Sequence, residues 1–402
     1  MIRISSYAVP LSDERPFAVL AAERLGISPD DILAVRIVRR ALDARRYHGA
    51  PLAFLYTLDV RIQGSEKKLL ARLRRDRHVA LAEKEEKLDL ARFSPLAQGE
   101  ARPVVVGFGP AGMFAALTLA RAGLSPLVLE RGYDVEARHA AIERFWQTGM
   151  LDVRSNVQFG EGGAGTFSDG KLTTRIGDSL ISEVLDAFVA AGAPEEIKYL
   201  HKPHVGTDRL ISIVTAMREE ILRLGGEVRF SSRAADFRVE ADKLSAVLVE
   251  RADGTRYELK TGVLIAATGH SARDTFRVLA SRGFSMEAKA FAVGFRVQRR
   301  KRDISLSQYG EREADFLPPA PYKLAAKTSV GRGVYSFCMC PGGFVVNASS
   351  EVGGTVVNGM SYADRGSENA NAAIIVSVTP EDFQRYGTGA LAGLAFQEEL
   401  EK

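Results

Sequence analysis

The chain has 402 residues, 46% of them hydrophobic and 26% charged, and a net charge of only +4. That length accommodates two or three domains, and the balance is that of an ordinary soluble protein. No apolar run reaches the ~18 residues that span a bilayer, two cysteines are too few for a disulfide framework, and the opening MIRISSYAVPLSDERPF lacks the charged-then-apolar layout of a signal peptide. A reducing compartment, the cytoplasm by default, is expected, with no membrane partner.

The first hundred residues carry 18 Lys and Arg against 14 Asp and Glu, which is the whole of the net excess. The segment reads as a unit of its own, residues 1–95. Strand patterns occupy Ile2 to Val9, Ile32 to Leu42 and Leu52 to Ile62. A helix pattern runs from Arg15 to Leu25, and Ser65 is placed to cap a second helix, KKLLARLRR. The order β-α-β-β-α predicts a small α+β ferredoxin-like layer. Arg36, Arg39, Arg40, Arg45, Arg46, Arg72, Arg74, Arg75 and Arg77 make it basic. No recognisable nucleic-acid motif accompanies that charge, so a solvated face is preferred to a nucleic-acid surface. Residues 83–101 are polar and read as a linker.

The stretch from Arg102 to Gly132 organises the rest of the chain. Val104-Val105-Val106 is the length of a buried parallel strand. Gly107, Gly109 and Gly112 then give the spacing G-x-G-x-x-G, with Pro110 and Ala111 inside it. A helix pattern comes next through Met113, Ala116, Leu117 and Ala120, and Gly123 ends it. A second strand, Leu127-Val128-Leu129, finishes on Glu130 and Arg131. Each piece suits a dinucleotide. Gly107 permits the tight turn, Gly109 lets backbone approach a pyrophosphate, and Gly112 lets helix and strand pack closely. The helix N-terminus offers free N–H groups, and Glu130 can accept from ribose hydroxyls.

Ser155 to Arg175, SNVQFGEGGAGTFSDGKLTTR, is rich in glycine, including Gly163 and Gly165, and poor in aliphatics. It cannot build a core, so close backbone approach to a ligand such as a flavin is its expected use. Asn156, Gln158, Ser168 and Lys171 are its polar groups. Thr207 to Leu224 reads as an amphipathic helix. Short strands come after it at 236–240, 244–250 and 256–260, the last two joined by the Asp253-Gly254 turn. Val263 to Gly269 is a buried strand ending in Ala267-Thr268-Gly269, which lets the chain pass close to a ligand at the carboxyl edge of a sheet.

The phrases GFGPAGMFAALTLARAG, NVQFGEGGAGTFSDGKLTTR, ATGHSARDTF, FCMCPGG and NGMSYADRGSENANAA cover most of residues 100–380. With them the chain resembles the FAD-binding fold of glutathione-reductase-type flavoproteins, and more narrowly the uncharacterised FAD-dependent dehydrogenase family of bacteria and plastids. The resemblance implies an α/β architecture: a Rossmann-like FAD-binding domain over 100–280 with a β-meander at 236–260, and a mostly β substrate or cap domain over 281–402. It implies non-covalent FAD, with Gly107, Gly109 and Gly112 at the pyrophosphate and Glu130 at the adenosine ribose. It names no substrate. Such folds close with a late strand and a Gly-rich, acid-containing turn, and nothing after residue 380 resembles them. The chain stops at FQEELEK inside a helical pattern, so a C-terminally truncated chain is expected.

Phe291 to Gln298 reads as a strand, and 333–348 as a hairpin turning at Pro341-Gly342-Gly343. Cys338 and Cys340, at i and i+2 on a strand, should share a face. They are neither a C-x-x-C redox motif nor a complete zinc site, so buried structural thiols are the preferred reading and no metal is expected. His270, Lys171 and Arg296 are the candidate catalytic side chains: His270 at the ligand edge, the two cations as anion partners for substrate or for reduced flavin. The reading that results is an FAD-dependent dehydrogenase; the alternative is a non-enzymatic flavin-binding protein whose basic N-terminal domain binds nucleic acid or a protein partner. Only one dinucleotide fingerprint is visible, so a nicotinamide dinucleotide serving as electron donor would reach the flavin through the substrate pocket.

Overall fold

A computed structural model describes residues 1–45, 51–83, 87–97, 99–174 and 176–402. Arg46, parts of the 83–101 linker and Arg175 lie outside the described residues. The chain divides into two units.

The first comprises residues 1–88, 171–204 and 306–317. Its strands are β1 (Ile2–Pro10), β2 (Ile32–Asp43), β3 (Ala53–Ile62) and β4 (Val79–Leu81), with helices Phe17–Leu25 and Glu66–Arg72 between them. They form an antiparallel sheet in the order β2-β3-β1-β4. That is the arrangement two β-α-β units produce when each encloses a strand of the other. Ile2, Ile4, Leu20, Leu25, Leu58 and Val60 are buried between sheet and helices. Much of the basic charge is spent inside the unit. Asp59, fully buried, binds Arg3 at 2.7 Å and Arg36 at 2.9 Å. Arg39 meets His201 at 2.7 Å, and Arg72 caps the first helix through the carbonyls of Leu25 and Gly26.

Residues 171–204 were expected in the nucleotide domain and belong to this unit instead. The reason is backbone pairing: Arg40 N–H donates to Tyr199 O at 2.7 Å, and His201 N–H to Arg40 O at 2.9 Å, extending the sheet beyond its β2 edge. Residues 306–317 likewise leave the expected cap domain.

The second unit holds residues 89–170, 205–305 and 318–402. A parallel sheet of β5 (Val104–Val106), β6 (Leu127–Leu129), β7 (Glu227–Arg229) and β11 (Leu264–Ala266) runs in the order β11-β5-β6-β7. Helices Pro110–Arg121 and Thr207–Arg223 accompany it. The meander is β8 (Ser232–Glu240), β9 (Lys243–Arg251) and β10 (Arg256–Lys260), and its Phe237, Val247 and Val249 share a core with Val104, Val106, Leu127 and Leu129.

The C-terminal part builds an antiparallel sheet, β12-β17-β14-β13, from β12 (Phe291–Arg300), β13 (Ala325–Lys327), β14 (Gly333–Cys340) and β17 (Asn369–Val378). A separate pair joins β15 (Phe344–Asn347) to β16 (Val357–Met360). Pro341-Gly342-Gly343 is therefore not a hairpin turn but the place where the chain leaves one sheet for the other. A Cβ on Gly342 would lie 2.2 Å from Arg365 O, and one on Gly343 2.3 Å from Met360 O, so the crossing presses against 360–365 too closely for any side chain.

Candidate dinucleotide-binding site

The site begins where β5 ends. Gly107 has φ 96° and donates to Leu129 O, and Ala267 donates to Val106 O, both at 2.8 Å. The turn thus lies between the ends of β6 and β11, at the carboxyl edge of the parallel sheet, where ligands of such sheets bind. The three glycines do different things. A Cβ on Gly107 would lie 2.4 Å from Ala267 O, and one on Gly112 1.9 Å from Gly107 O. Both are used up in packing strand, turn and helix. Gly109 is different: the nearest atom to its Cβ would be Gly163 Cα at 3.6 Å. Gly109 also caps helix Pro110–Arg121, whose first-turn N–H groups at Ala111 and Gly112 have no helical acceptor. The open glycine and the free donors coincide, which is what an approaching pyrophosphate needs.

A cavity of about 550 Å³ adjoins this turn. Gly107, Gly109, Pro110, Ala111, Glu130, Gly163, Gly165, Thr268, Gly269 and His270 line it, a set assembled from distant stretches of the chain. Gly112 does not, for the packing reason just given. Arg131 lines the adjoining space beyond Glu130, with its guanidinium 4.4 Å from the Phe159 ring and 2.8 Å from Asp274. Burial favours the neutral Asp274 carboxyl, but Arg131 and Arg233 outweigh it and hold its pKa below the ordinary value.

Glu130 is nearly closed off from solvent and accepts three backbone N–H groups: Phe108 on Oε2 at 2.7 Å, Gly132 and Gly160 on Oε1 at 2.9 Å each. Oε1 is saturated and Oε2 keeps one lone pair. The carboxylate therefore keeps room for one further donor, where the sequence pattern suggested two ribose hydroxyls.

The Gly-rich loop owes its shape to a residue that the sequence did not single out. Arg138, in helix Val135–Thr148, is fully buried and donates to four carbonyls: Asn156, Val157, Glu161 and Gly163. Burial draws its guanidinium down to about 9, opposed by Glu130 and Glu161, so it stays charged near neutral pH. Glu161 holds the N–H of Val135 at 2.8 Å and Arg218 at 3.2 Å; burial pushes its carboxyl up. Asn156 Oδ1 accepts from Gln158 and Phe159 N–H groups. The loop is thus a built platform.

Of the three candidate catalytic side chains, His270 and Arg296 fall in the second unit and Lys171 in the first. His270 lines the cavity, its Nδ1 2.9 Å from Ser271 Oγ, which also reaches Gln158 Oε1 at 3.3 Å. Arg296 lies in the C-terminal sheet, bonded to Asn371 Oδ1 at 2.6 Å and Cys338 O at 3.3 Å. Lys171 belongs to the first unit, where it bridges His204. The cysteines do not alternate as a regular strand would. A bulge separates Phe337 from Cys340 in the pairing to β17, and Cys338 has φ 43°. Neither is in a disulfide.

A protein of Clostridium beijerinckii described as uncharacterized is 45% identical over 403 residues, taking in 100% of this chain and 73% of that protein. The chain belongs to the family of that protein. Residues 290–402 match a family described as FAD-dependent protein, C-terminal domain-like, and residues 1–61 match a domain of unknown function. FAD is accordingly the cofactor, and the open Gly109 and the free helix donors fit its pyrophosphate. Among solved structures, the chain is similar to glycerol-3-phosphate dehydrogenase from Bacillus halodurans complexed with FAD (11% identity, TM-score 0.33, 70% of this chain and 48% of that one). It is also similar to OxyS anhydrotetracycline hydroxylase from Streptomyces rimosus (19% identity, TM-score 0.30, 74% and 49%). The chain thus spans about half the length of those two.

Proposed function

We propose that the protein is an FAD-dependent oxidoreductase of the dehydrogenase type, with FAD held non-covalently along Glu130, Gly109 and Gly163–Gly165. The observation that supports this best is the cavity at the carboxyl edge of the parallel sheet, where the one fingerprint glycine with room to spare meets the free N–H groups of a helix. Bound there, FAD would supply hydride acceptance and donation. The chain's own residues bind and orient. Ala111 N–H would face the pyrophosphate, Glu130 Oε2 would take a ribose hydroxyl, and Arg138 fixes the loop beside the site. When Ser271 donates to Gln158, His270 Nδ1 carries the proton, leaving Nε2 as the acceptor. His270 is thereby a proton-accepting group of the cavity. Arg296, which makes no ion pair among the described residues, would meet an anionic substrate group.

No described helix is long and apolar enough to cross a membrane, and two cysteines outside any disulfide suit a reducing cytoplasm. The test is anaerobic. The FAD-loaded chain is titrated with NADH and NADPH and its visible spectrum monitored. Bleaching by either, with the flavin reoxidised by an added acceptor, supports the reading. A flavin reducible by light alone would favour a non-enzymatic flavin protein whose N-terminal unit holds a partner.

A further inference from the structure

A second pocket of about 360 Å³ lies beyond Arg131. It shares Arg131, Phe159, Arg233 and Ser271 with the spaces around the dinucleotide cavity but opens between strands β8 and β9, the 153–154 turn and residues 350–352. Five guanidinium groups line it: Arg131, Arg154, Arg233, Arg251 and Arg277. Its three carboxylates are already committed. Asp274 binds Arg131 and Arg233, Glu250 binds Arg233 and Arg256, and Glu351 binds Arg273. Arg256 and Arg273 are not among the lining residues, so part of the lining's negative charge is spent on cations outside it. Arg154 and Arg251 make no ion pair among the described residues. Arg154 reaches only the Ala252 carbonyl, and Arg251 lies over the Tyr257 ring at 5.0 Å.

Two further features favour negative charge here. Helix Arg273–Ser281 begins at the pocket, with Ser271, Asp274 and Arg277 on the wall, so the positive end of its dipole adds to the guanidinium field. Ser231, also on the wall, is held at φ 51°, a left-handed conformation that a non-glycine residue rarely adopts and that recurs at ligand sites. A volume of this size suits a small molecule. Guanidinium forks match phosphate oxygens in geometry.

We propose that this pocket is a binding site for a phosphate-bearing small molecule, separate from the FAD and filled while FAD is bound. Arg154 and Arg251 are its uncommitted cations, and Arg131 joins it to the adenosine end of the dinucleotide cavity. The inference needs only the pocket and stands whether or not FAD occupies the neighbouring cavity.

The experiment uses the full chain loaded with FAD, with inorganic pyrophosphate as the probe, in equilibrium dialysis at low salt. One pyrophosphate per chain should bind saturably without releasing FAD. In the double variant Arg154→Gln/Arg251→Gln, affinity should fall at least tenfold while FAD content stays unchanged. Arg154→Lys/Arg251→Lys, which keeps charge but not the fork, should lie between. Equal binding in parent and Gln variant, absence of binding, or one-for-one displacement of FAD would each overturn the proposal. If the chain proves to hold no FAD, the comparison of parent and Gln variant still decides the pocket, so failure of the FAD reading and failure of this one are distinguishable.

Discussion

Glu130 Oε1 accepts the backbone N–H of Gly160 at 2.9 Å, thirty residues further along the chain. That bond ties the end of β6 to the Gly-rich loop, and with the bonds to Phe108 and Gly132 it makes the carboxylate a structural hub before any ligand arrives. Glu130→Gln replaces an acceptor with an NH2 group that must face an N–H donor. Hydrogen bonds to a charged group contribute about 1.5–3 kcal/mol each. The FAD-free variant should melt at clearly lower temperature than the FAD-free parent, and FAD affinity should fall by about tenfold or more. Unchanged melting of the FAD-free variant would show that the three N–H contacts do not matter to the fold.

Gly112→Ala should act on the fold and not on the cavity. Its Cβ would lie 1.9 Å from Gly107 O, a backbone atom that cannot retreat without moving β5. Overpacking of this kind costs about 3 kcal/mol. Urea unfolding of the FAD-free chain should show the loss, and a variant as stable as its parent would contradict the packing described.

Asp59 makes the first unit acid-sensitive. Burial favours the neutral carboxyl, yet Arg3 and Arg36 outweigh it and hold the folded pKa below the unfolded value. Stability from this group is therefore present above the unfolded pKa of about 3.9 and is lost as pH falls through the folded value. Amide exchange along β3 should accelerate over that range. In Asp59→Asn, with about 2–3 kcal/mol removed after allowing for solvent at the two arginines, exchange should be fast already at neutral pH and flatter with acid. Identical pH profiles would show that Asp59 is not the acid-sensitive group.

The cysteines should behave as packing groups. Cys340 has no solvent exposure, whereas Cys338 is part-exposed. Cys340→Ser should lower the melting temperature more than Cys338→Ser, and neither should change flavin reduction. A Cys338–Cys340 disulfide that forms and opens with the redox state of the flavin, detected by mass spectrometry, would contradict this.

The glycine turn, both flanking strands, the meander and the Ala-Thr-Gly edge were legible because each is local: strand length, turn residues and helix spacing sit within about thirty residues, the reach of one βαβ unit. What the sequence hid depends on distant pairing. Arg138 looks like a solvent-facing helix residue, and only the folded loop around it supplies its four carbonyl acceptors. Residues 171–204 carry no mark of joining the N-terminal sheet, because that join is a backbone bridge at Arg40. Pro341 with Gly342 and Gly343 imitates a hairpin turn. Their real constraint, the close crossing against 360–365, involves residues well further along the chain. Arg131 directly succeeds Glu130 in sequence, yet the pocket beyond it draws on several separate stretches.

One substitution tests directly whether FAD lies against Gly109. Gly109 has ordinary backbone angles and room for a Cβ, so Gly109→Val should leave the far-ultraviolet spectrum and the melting of the FAD-free protein as they are. The added methyls would occupy the pyrophosphate's path. FAD dissociation constants, measured by quenching of flavin fluorescence, should rise at least a hundredfold from parent to variant. Equal affinity in a folded variant would contradict the placement of FAD against this glycine.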